Sequence, residues 1–537
     1  KYERVIVMIN KGFNYTVKKN FKKSVFYAAA CMAAVLLLSS CTGSSSQNAA
    51  SQTKNNAEDK TKTIKVGSTS AVVSGLDPAV DWNGWYTVRY GIAETLFRLD
   101  DSLNPVPWLA SSYKNIDENT WEIKIKDNVV FSNGEKMTAQ KVIDSLKRAG
   151  DMNSRAASLK DCEYTAGSDG KTITIKTKEP YVALINDLCD PYSAVIDTAA
   201  GKDFEKSPIG TGPFVISEFN ENTKAVMKKN DKYWDGEVKA DSIEYINVAD
   251  FDTLALSINS GELDVAQDLS PESAQTLKNN TDINLNMTTQ SRTYQLYFNL
   301  ETMKDKAVRE AVMYALDKET IDNVQLNGCV LPANGAFLEN SSYGGKNLKL
   351  RKYDLSKAKE LLKDAGYTDT DNDGIVEKDG KPLKIKFCIY KRLAMENMAV
   401  EMQSDLKKAG IDADVTVYEK STFYKSGDFD IGLYSIVTMP TGDAYPFLRD
   451  CMQTDGVANF GKYYNKEVQE DLEKLSKEFN KEERSAIVDR IQQAASDDAA
   501  FDYMGFNKMY TAVSKDVEGY LTTSNDYYQV TKDTYKK

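Results

Sequence analysis

The chain of 537 residues contains no histidine. This absence excludes Ser-His-Asp and Cys-His nucleophile systems, HExxH zinc hydrolases and every metal site that needs an imidazole ligand. The sequence also lacks the GxxxxGK[ST] phosphate loop, the GxGxxG fingerprint and the GxSxG elbow. No pair among the 79 acidic residues is marked as a catalytic acid and base, so a carboxylate-based hydrolase has no support. We therefore expect a protein that is not an enzyme and that carries no cofactor.

The N-terminal part has the features of an export signal. Four lysines between residues 18 and 23 precede an apolar run at 25–38, which ends in Leu38-Ser39-Ser40-Cys41. The run is shorter than the roughly 20 residues that span a bilayer, and small residues follow it, as in a signal peptide. The ending resembles a bacterial lipobox, which implies cleavage before Cys41 and lipidation of its thiol. The alternative is a short membrane helix with a chance cysteine.

These features divide the first 63 residues into two segments. We interpret residues 1–40 as a signal peptide, with residues 1–17 upstream of the basic run and a true start at Met8 or later. Residues 41–63 are rich in Ser, Thr, Asn, Gln and Ala, and we expect a lipidated flexible tether. The folded body would then lie on the extracytoplasmic face of the cell membrane, held there by its lipid.

Cysteine is scarce in the body of the chain, and no CxxC spacing occurs that would indicate a redox or zinc site. Five cysteines remain after residue 41, so at least one is unpaired. A disulfide between Cys162 and Cys189 is one alternative, and buried free thiols are the one that we favour.

The charge of the body argues against nucleic acid as a partner. Residues 1–40 hold seven basic residues and one acidic residue, which leaves 61 basic and 78 acidic residues in the body. Its net charge of -17 opposes general binding to a phosphate backbone.

The pattern of apolar residues predicts two α/β lobes. Alternation at 63–66, 121–126 and 172–176 indicates strands, and 138–148 indicates a helix capped by Thr138. Later, strands at 383–390, 411–418 and 429–436 and helices at 307–316, 355–365 and 394–408 suggest βαβ units and a parallel sheet. We assign residues 64–291 and 505–537 to lobe 1 and residues 292–504 to lobe 2. Ligand sites prefer the cleft between such lobes.

Several motifs, in order, carry a resemblance to a known family. They are WEIKIKDNVVFSNGEKMTAQKVIDSLKR from Trp121, SPIGTGPF from Ser207, NDKYW from Asn230, INSGELD from Ile258, VREAVMYALD from Val308 and DLSKAKELLKDAGY from Asp354. The body of the chain resembles the family 5 extracellular solute-binding proteins, which are peptide and nickel receptors of ABC importers. It is most similar to the nickel and metal–opine branch. The resemblance implies the two-lobed periplasmic-binding fold of class II type, with an extra small subdomain in lobe 1.

The segment DWNGWYTVRY, residues 81–90, is the first candidate for ligand binding. It brings Trp82, Trp85, Tyr86 and Arg89 close together in sequence, and such groups can stack on a planar ligand and bind a carboxylate. The alternative is an aromatic face that is buried in the core. A second candidate is Arg155, because nickel-type receptors carry an arginine in the matching segment that faces the carboxylates of the bound chelate; the alternative is an exposed loop arginine.

The loop TMPTGDAYPFLR, residues 438–449, is the third candidate. Family members place ligand contacts on this loop, so Tyr445 and Arg449 are candidate contacts. Peptide receptors carry an aspartate here that pairs with the peptide ammonium, and Pro440 occupies that position in this chain. This departure weakens the peptide interpretation, while Asp443 matches a more structural aspartate.

The segment Asp369-Thr-Asp-Asn-Asp-Gly resembles the start of a calcium loop. Asp369, Asp371 and Asp373 would supply oxygen ligands, with Gly374 at the sixth position. The twelfth position is Gly380 instead of glutamate, and a polar turn is the alternative that we favour.

We expect a lipid-anchored, monomeric receptor that delivers a small ligand to the permease subunits of an ABC importer. The ligand would be nickel or another metal held by a chelator, because without histidine the protein is a poor direct ligand for such a metal. The alternatives are an oligopeptide or dipeptide receptor, and an adhesion or scaffolding lipoprotein.

Overall fold

A computed structural model describes residues 62–200, 203–326, 328–345, 347–392 and 394–537, without the side chains of Val324 and Gln325. The described residues form one compact unit. The predicted signal peptide, Cys41 and the tether up to residue 61 lie outside the described residues. No helix in the described part of the chain is long and apolar enough to cross a membrane.

The described residues contain 21 strands, most of them in one mixed sheet. Their bounds are β1 Thr63–Ser68, β2 Phe97–Leu99, β3 Pro105–Pro107, β4 Ala110–Asn115, β5 Thr120–Ile125, β6 Glu163–Ala166, β7 Thr172–Lys176, β8 Phe214–Asn220, β9 Lys224–Lys229, β10 Ser242–Asn247, β11 Val265–Leu269, β12 Ile283–Phe298, β13 Val330–Pro332, β14 Glu377–Lys378, β15 Lys381–Pro382, β16 Lys384–Tyr390, β17 Asp412–Tyr418, β18 Ile431–Val437, β19 Phe501–Ser514, β20 Val517–Glu518 and β21 Tyr535–Lys536.

The same residues form 13 α-helices. Their bounds are α1 Asn83–Arg89, α2 Ala139–Met152, α3 Ala157–Lys160, α4 Leu184–Asp187, α5 Phe251–Asn259, α6 Pro271–Leu277, α7 Lys306–Ala315, α8 Lys318–Thr320, α9 Leu355–Asp364, α10 Met395–Lys408, α11 Tyr445–Met452, α12 Lys466–Lys477 and α13 Lys481–Asp497.

Helix boundaries follow the predicted caps. Thr138 accepts a hydrogen bond from the backbone N–H of Lys141 at the start of α2, and Asp354 caps α9 in the same way. Gly366, just beyond α9, has a φ of +89°, which glycine adopts at low cost. Within the segment 81–90, Asn83–Arg89 form helix α1.

Two long strands connect the halves of the main sheet. Its strand order is β17-β16-β18-β12-β19-β11-β1-β10-β9-β8. Strands β12 and β19 pair antiparallel at the centre and separate the strands of residues 384–437 from those of residues 63–269. The predicted lobe boundaries at 291/292 and 504/505 fall inside these two strands, and the assignment of lobes remains a prediction.

The predicted βαβ pattern is present in the second half of the sheet. Strand β16 pairs parallel with both β17 and β18, and α10 connects β16 to β17. Buried side chains of α7 and α10, including Val312, Met398 and Met402, form one core with Phe387 and Leu433 of the strands. A separate four-stranded antiparallel sheet, in the order β4-β5-β7-β6, belongs to residues 110–176.

Two of the family motifs meet at a buried carboxylate. Glu94 accepts hydrogen bonds from the Tyr233 hydroxyl at 2.6 Å, from Trp234 Nε1 at 2.8 Å and from the Thr211 hydroxyl at 2.9 Å. A Cβ atom at Gly212 would collide with the backbone oxygen of Gly91. These motif residues therefore pack around Glu94 and against the backbone of Gly91.

The five cysteines of the body are free thiols. Cys162 and Cys189 donate instead to the backbone oxygens of Ser158 and Ile185. The alternative of a disulfide between them is therefore not supported by the structure.

Candidate ligand-binding cleft

A cavity of about 430 Å³ lies where the two halves of the main sheet meet. Helix α1 and strand β11 contribute to it from the first half, β12 and β19 from the centre, and the segment before α10 from the second half. The residues that line it are Ser68, Thr69, Ser70, Trp85, Tyr86, Arg89, Phe251, Gln267, Asp268, Gln290, Arg292, Tyr294, Lys391, Arg392, Asn507, Met509 and Asp526.

A larger cavity of about 950 Å³ lies within the second half, along residues 313–320 and 332–353. Two of its basic side chains already form ion pairs, Lys318 with Asp502 at 2.5 Å and Arg351 with Glu310 at 2.5 Å. We place the candidate site in the smaller cavity because residues from both halves and from the connecting strands converge there.

Arg89, which the sequence predicts as a ligand contact, lines the cavity and is already paired. Its guanidinium lies 3.2 Å from the carboxylate of Asp526, and its Nε also donates to the Asp526 backbone oxygen. Burial acts to lower the pKa of Arg89, but the charge of Asp526 together with the neighbouring tyrosines outweighs burial, so the pKa is raised. Trp85 Nε1 donates to the same carboxylate at 3.0 Å.

Two further arginines line the cavity without such a partner. Arg292 in β12 and Arg392, two residues after β16, have no hydrogen bond or ion pair from their side chains to any residue in the described part of the chain. The Arg292 guanidinium lies 5.9 Å from the Trp85 ring. Burial and the charge of Arg392 together lower the pKa of Arg292.

The remaining charged groups of the cavity are Lys391 and Asp268. Lys391 points to Glu419, 2.6 Å away, so its charge is paired. Asp268 has a φ of +61° at an irregularity in β11, a conformation that costs a non-glycine residue about 1–3 kcal/mol. Burial raises the pKa of Asp268, against the opposing charges of Arg392 and Arg292. The cavity thus has four basic and two acidic side chains, an excess that suits an anion.

Trp85 and Tyr86 form the aromatic part of the cavity wall. Trp85 packs edge-on against Tyr527, with ring centroids 5.1 Å apart, and the Tyr86 ring lies 5.0 Å from the Arg89 guanidinium. Both side chains are half-buried, so each ring presents a surface on which a planar ligand can stack.

Arg155 and Trp82 lie together outside the lining of this cavity. The Arg155 guanidinium is 2.5 Å from the carboxylate of Asp190 and 3.8 Å from the centroid of the Trp82 ring. Trp82 is 51% exposed. Their predicted contact with ligand remains a prediction, and the geometry shows a paired arginine stacked on a surface tryptophan.

Tyr445 and Arg449, at the start and middle of α11, also lie outside the lining. Arg449 donates to Asp450 at 2.8 Å, and the Tyr445 ring lies 6.0 Å from that of Tyr181. On the same loop, Asp443 is buried against Arg484, with oxygen–nitrogen distances of 2.6 and 2.7 Å.

The residues of the predicted calcium loop do come together. Asp369, Asp371, Asp373 and Glu377 each have an oxygen within 4.8 Å of the others, and the three aspartates are exposed. The carboxylate of Asp369 accepts hydrogen bonds from the backbone of residues 372 and 374, as in a polar turn. Calcium binding here remains a prediction.

Comparison with known proteins decides the family. The model of the bacterial extracellular solute-binding proteins, family 5 Middle, matches residues 104–459. The chain belongs to this family.

The relatives of this family 5 protein include metal and peptide receptors. The nickel-binding protein NikA of Staphylococcus aureus (strain NCTC 8325 / PS 47) is 31% identical over 448 residues, which are 82% of this chain and 89% of NikA. The oligopeptide-binding protein AppA of Bacillus subtilis (strain 168) is 25% identical over 557 residues, covering 96% of this chain and 99% of AppA.

Solved structures show the same fold. NikA from Staphylococcus aureus in complex with Ni(L-His)2 has a TM-score of 0.76 at 29% identity, covering 89% of this chain and all of that one. AppA from Bacillus subtilis in complex with a nonapeptide has a TM-score of 0.74 at 21% identity, covering 89% of this chain and 99% of that one.

The predicted two-lobed periplasmic-binding fold is therefore confirmed, and this family 5 protein is a substrate-binding component of an ABC importer. The family consists of solute receptors and not of enzymes.

Proposed function

We propose that the protein captures nickel or another metal as a complex with a chelator, in the cavity between the two lobes. The observation that carries this proposal is the lining of the cavity, which combines aromatic rings with more basic than acidic side chains. A metal bound by a carboxylate-bearing chelator offers a planar or anionic surface to such groups.

The residues of the cavity favour a chelate over a bare metal ion. Its lining contains no cysteine and only two carboxylates, one of which, Asp526, is paired with Arg89. Nickel prefers imidazole and other nitrogen ligands, and the chain has no histidine. The chelator would therefore supply the donor atoms, and the protein would bind the outside of the complex.

The size of the cavity favours a small ligand. Its volume of about 430 Å³ lies within the usual range for small-molecule sites. An extended nonapeptide is roughly 30 Å long, whereas a sphere of the same volume as the cavity is only about 9 Å across.

A dipeptide or short-oligopeptide receptor is the second candidate, and Asp268 is the observation that favours it. Pro440 cannot pair with a peptide ammonium, but the carboxylate of Asp268 lies in the cavity and could do so. This arrangement would place the positive end of a peptide at β11.

We further propose that Cys41 is lipidated, that the monomer is held at the extracytoplasmic face of the membrane, and that it passes its ligand to ABC permease subunits. The Leu-Ser-Ser-Cys ending supports the anchor, and membership of the family supports the permease. Radiolabelled palmitate should enter the wild-type protein and not the Cys41→Ala variant.

A thermal-shift screen tests the choice of ligand. The panel is Ni²⁺ alone, nickel with L-histidine, Fe(III)-EDTA, dialanine and a nonapeptide, each with its metal-free or ligand-free control. A ligand that binds only the folded state raises the melting temperature as its concentration exceeds Kd. We expect a shift with a metal chelate and none with Ni²⁺ alone; a shift with peptides alone would replace this proposal by the second candidate.

A further inference from the structure

A second cavity lies apart from the cleft to which the proposed function assigns the ligand. It is the space of about 950 Å³ along residues 313–320 and 332–353, and it shares no lining residue with the cleft. Its volume falls within the usual range for small-molecule sites, which is roughly 300–1,000 Å³. The second cavity is therefore large enough for a ligand of its own.

A small space of about 10 Å³ adjoins the second cavity. The residues that line both are Met313, Leu348, Leu350 and Arg351. The small space is also lined by Gln492 of α13 and by Tyr503 of β19. A volume of this size holds about one group the size of a water molecule. It therefore has room for one oxygen atom of a ligand that occupies the second cavity.

Two buried donors without acceptors belong to the lining of this small space. Among the described residues, neither Gln492 Nε2 nor the Tyr503 hydroxyl has a hydrogen-bond partner, although the two residues are only 4% and 8% exposed. The orientation of the Gln492 amide is fixed, because its Oε1 accepts the backbone N–H of Ala336 at 2.9 Å. A buried donor that lacks an acceptor costs free energy, so both groups gain from an oxygen in the small space.

The charges of the second cavity favour a neutral ligand. Its lining contains four basic and three acidic side chains, so little net charge remains. Two of the four basic groups already form ion pairs, Lys318 with Asp502 and Arg351 with Glu310. Three leucines and Tyr353, which is 45% exposed, supply apolar surface. This mixture suits a sugar, whose hydroxyls form hydrogen bonds and whose ring C–H groups pack on apolar side chains.

We propose that the second cavity binds a neutral carbohydrate, one oxygen of which accepts hydrogen bonds from Gln492 and Tyr503 in the small space. A hydroxyl oxygen has two lone pairs, so it can accept from both donors at once. The other hydroxyls of the sugar would meet the charged side chains of the lining, and its ring would pack on Tyr353. This site is additional to the cleft and does not depend on which ligand the cleft takes.

A matched pair of sugars tests the class of ligand. Maltitol is neutral, and maltobionate carries a carboxylate in place of one of its CH2OH groups. Saturation-transfer NMR titrations of the purified protein should give at least about fivefold tighter binding of maltitol. Tyr503→Phe and Gln492→Leu should each lose about fivefold in affinity for maltitol, as expected for one neutral hydrogen bond. Circular dichroism shows whether each variant is folded.

Tyr464→Phe is the control variant, because it removes a hydroxyl from a tyrosine that is 63% exposed and lies outside both spaces. It should retain wild-type affinity for maltitol. Without ligand, Tyr503→Phe should melt at or above the wild-type temperature, because its hydroxyl has no partner to lose among the described residues. Nickel with L-histidine should not displace maltitol, since the cleft and the second cavity share no lining residue.

Four outcomes overturn the inference. The first is that maltitol, D-glucose and N-acetylglucosamine all fail to receive saturation at about 10 mM. The second is that maltobionate binds as tightly as maltitol, and the third is that Tyr503→Phe binds maltitol as wild type does or melts clearly below it. The fourth is displacement of maltitol by nickel–histidine, which would locate the sugar in the cleft.

The test separates this inference from the proposed function. Binding of maltitol that depends on Tyr503 supports the second site whether the cleft takes a metal chelate or a peptide. Failure of every sugar removes the second site and leaves the proposal for the cleft unchanged, because the two cavities share no lining residue.

Discussion

Replacing Glu94 by glutamine should change how the stability of the protein depends on pH. Glu94 is fully buried and accepts three hydrogen bonds, from Thr211, Tyr233 and Trp234. Burial raises its pKa from an ordinary 4.5 to about 7, although the three hydrogen bonds act in the opposite direction. Glutamine keeps the shape of the side chain and cannot ionise.

The sign of the effect follows from proton binding. Between pH 4.5 and 7 the folded protein holds a proton on Glu94 that the unfolded chain has released, so the free energy of unfolding falls as pH rises. With these two pKa values the loss between pH 5 and pH 8 is about 2.5 kcal/mol. The glutamine variant should lack this loss. Its free energy of unfolding should carry a separate penalty of about 1 kcal/mol that does not change with pH, because its NH2 group faces a hydrogen-bond donor where the carboxyl group has an acceptor.

Urea unfolding at pH 5, 6, 7 and 8 measures the effect. The wild type should be more stable at pH 5, and the variant should equal or exceed it at pH 8. Burial also raises the pKa values of Asp187 and Asp322, to about 6 and about 8. These two groups change the free energy of unfolding with pH equally in wild type and variant, so they cancel in the comparison. Parallel curves for wild type and Glu94→Gln would refute the reasoning.

Three further changes test the scaffold. Arg484→Met should cost about 3–5 kcal/mol in urea unfolding, because it leaves the buried Asp443 without its partner, and adding Asp443→Leu should recover part of the loss. Gly212→Ala should lower the melting temperature, with a cost of about 1–3 kcal/mol, because its Cβ would collide with the backbone of Gly91. Asp322→Asn should be more stable than wild type at pH 9 in urea unfolding, because both buried carboxylate oxygens lack a hydrogen-bond partner among the described residues and burial raises the pKa to about 8.

Local features of the fold could be predicted from the sequence to within a few residues. Helices α2 and α9 begin directly after Thr138 and Asp354, because a cap residue and an apolar stripe are both local signals. The pairing of β12 with β19 could not be predicted in this way, since the two strands are about 200 residues apart. The alternation of apolar and polar side chains indicates a strand but does not identify the strand it pairs with.

Part of the cavity lining could be predicted from local sequence for the same reason. Trp85, Tyr86 and Arg89 stand out because aromatic residues and an arginine cluster within one helix, and all three line the cavity, while their contact with ligand stays a prediction. The lining residues Arg292 and Arg392 do not stand out, because a single arginine in a strand or loop looks like any solvent-exposed charge. Only the folded sheet brings them together.

Anomalous X-ray scattering at the nickel edge, from crystals grown with nickel and L-histidine, tests the central claim most directly. The account predicts one strong nickel peak in the cavity, between Trp85 and Arg292, with electron density for the chelator around it. A cavity without nickel, or a peak only at the carboxylates of the 369–377 loop, would contradict it.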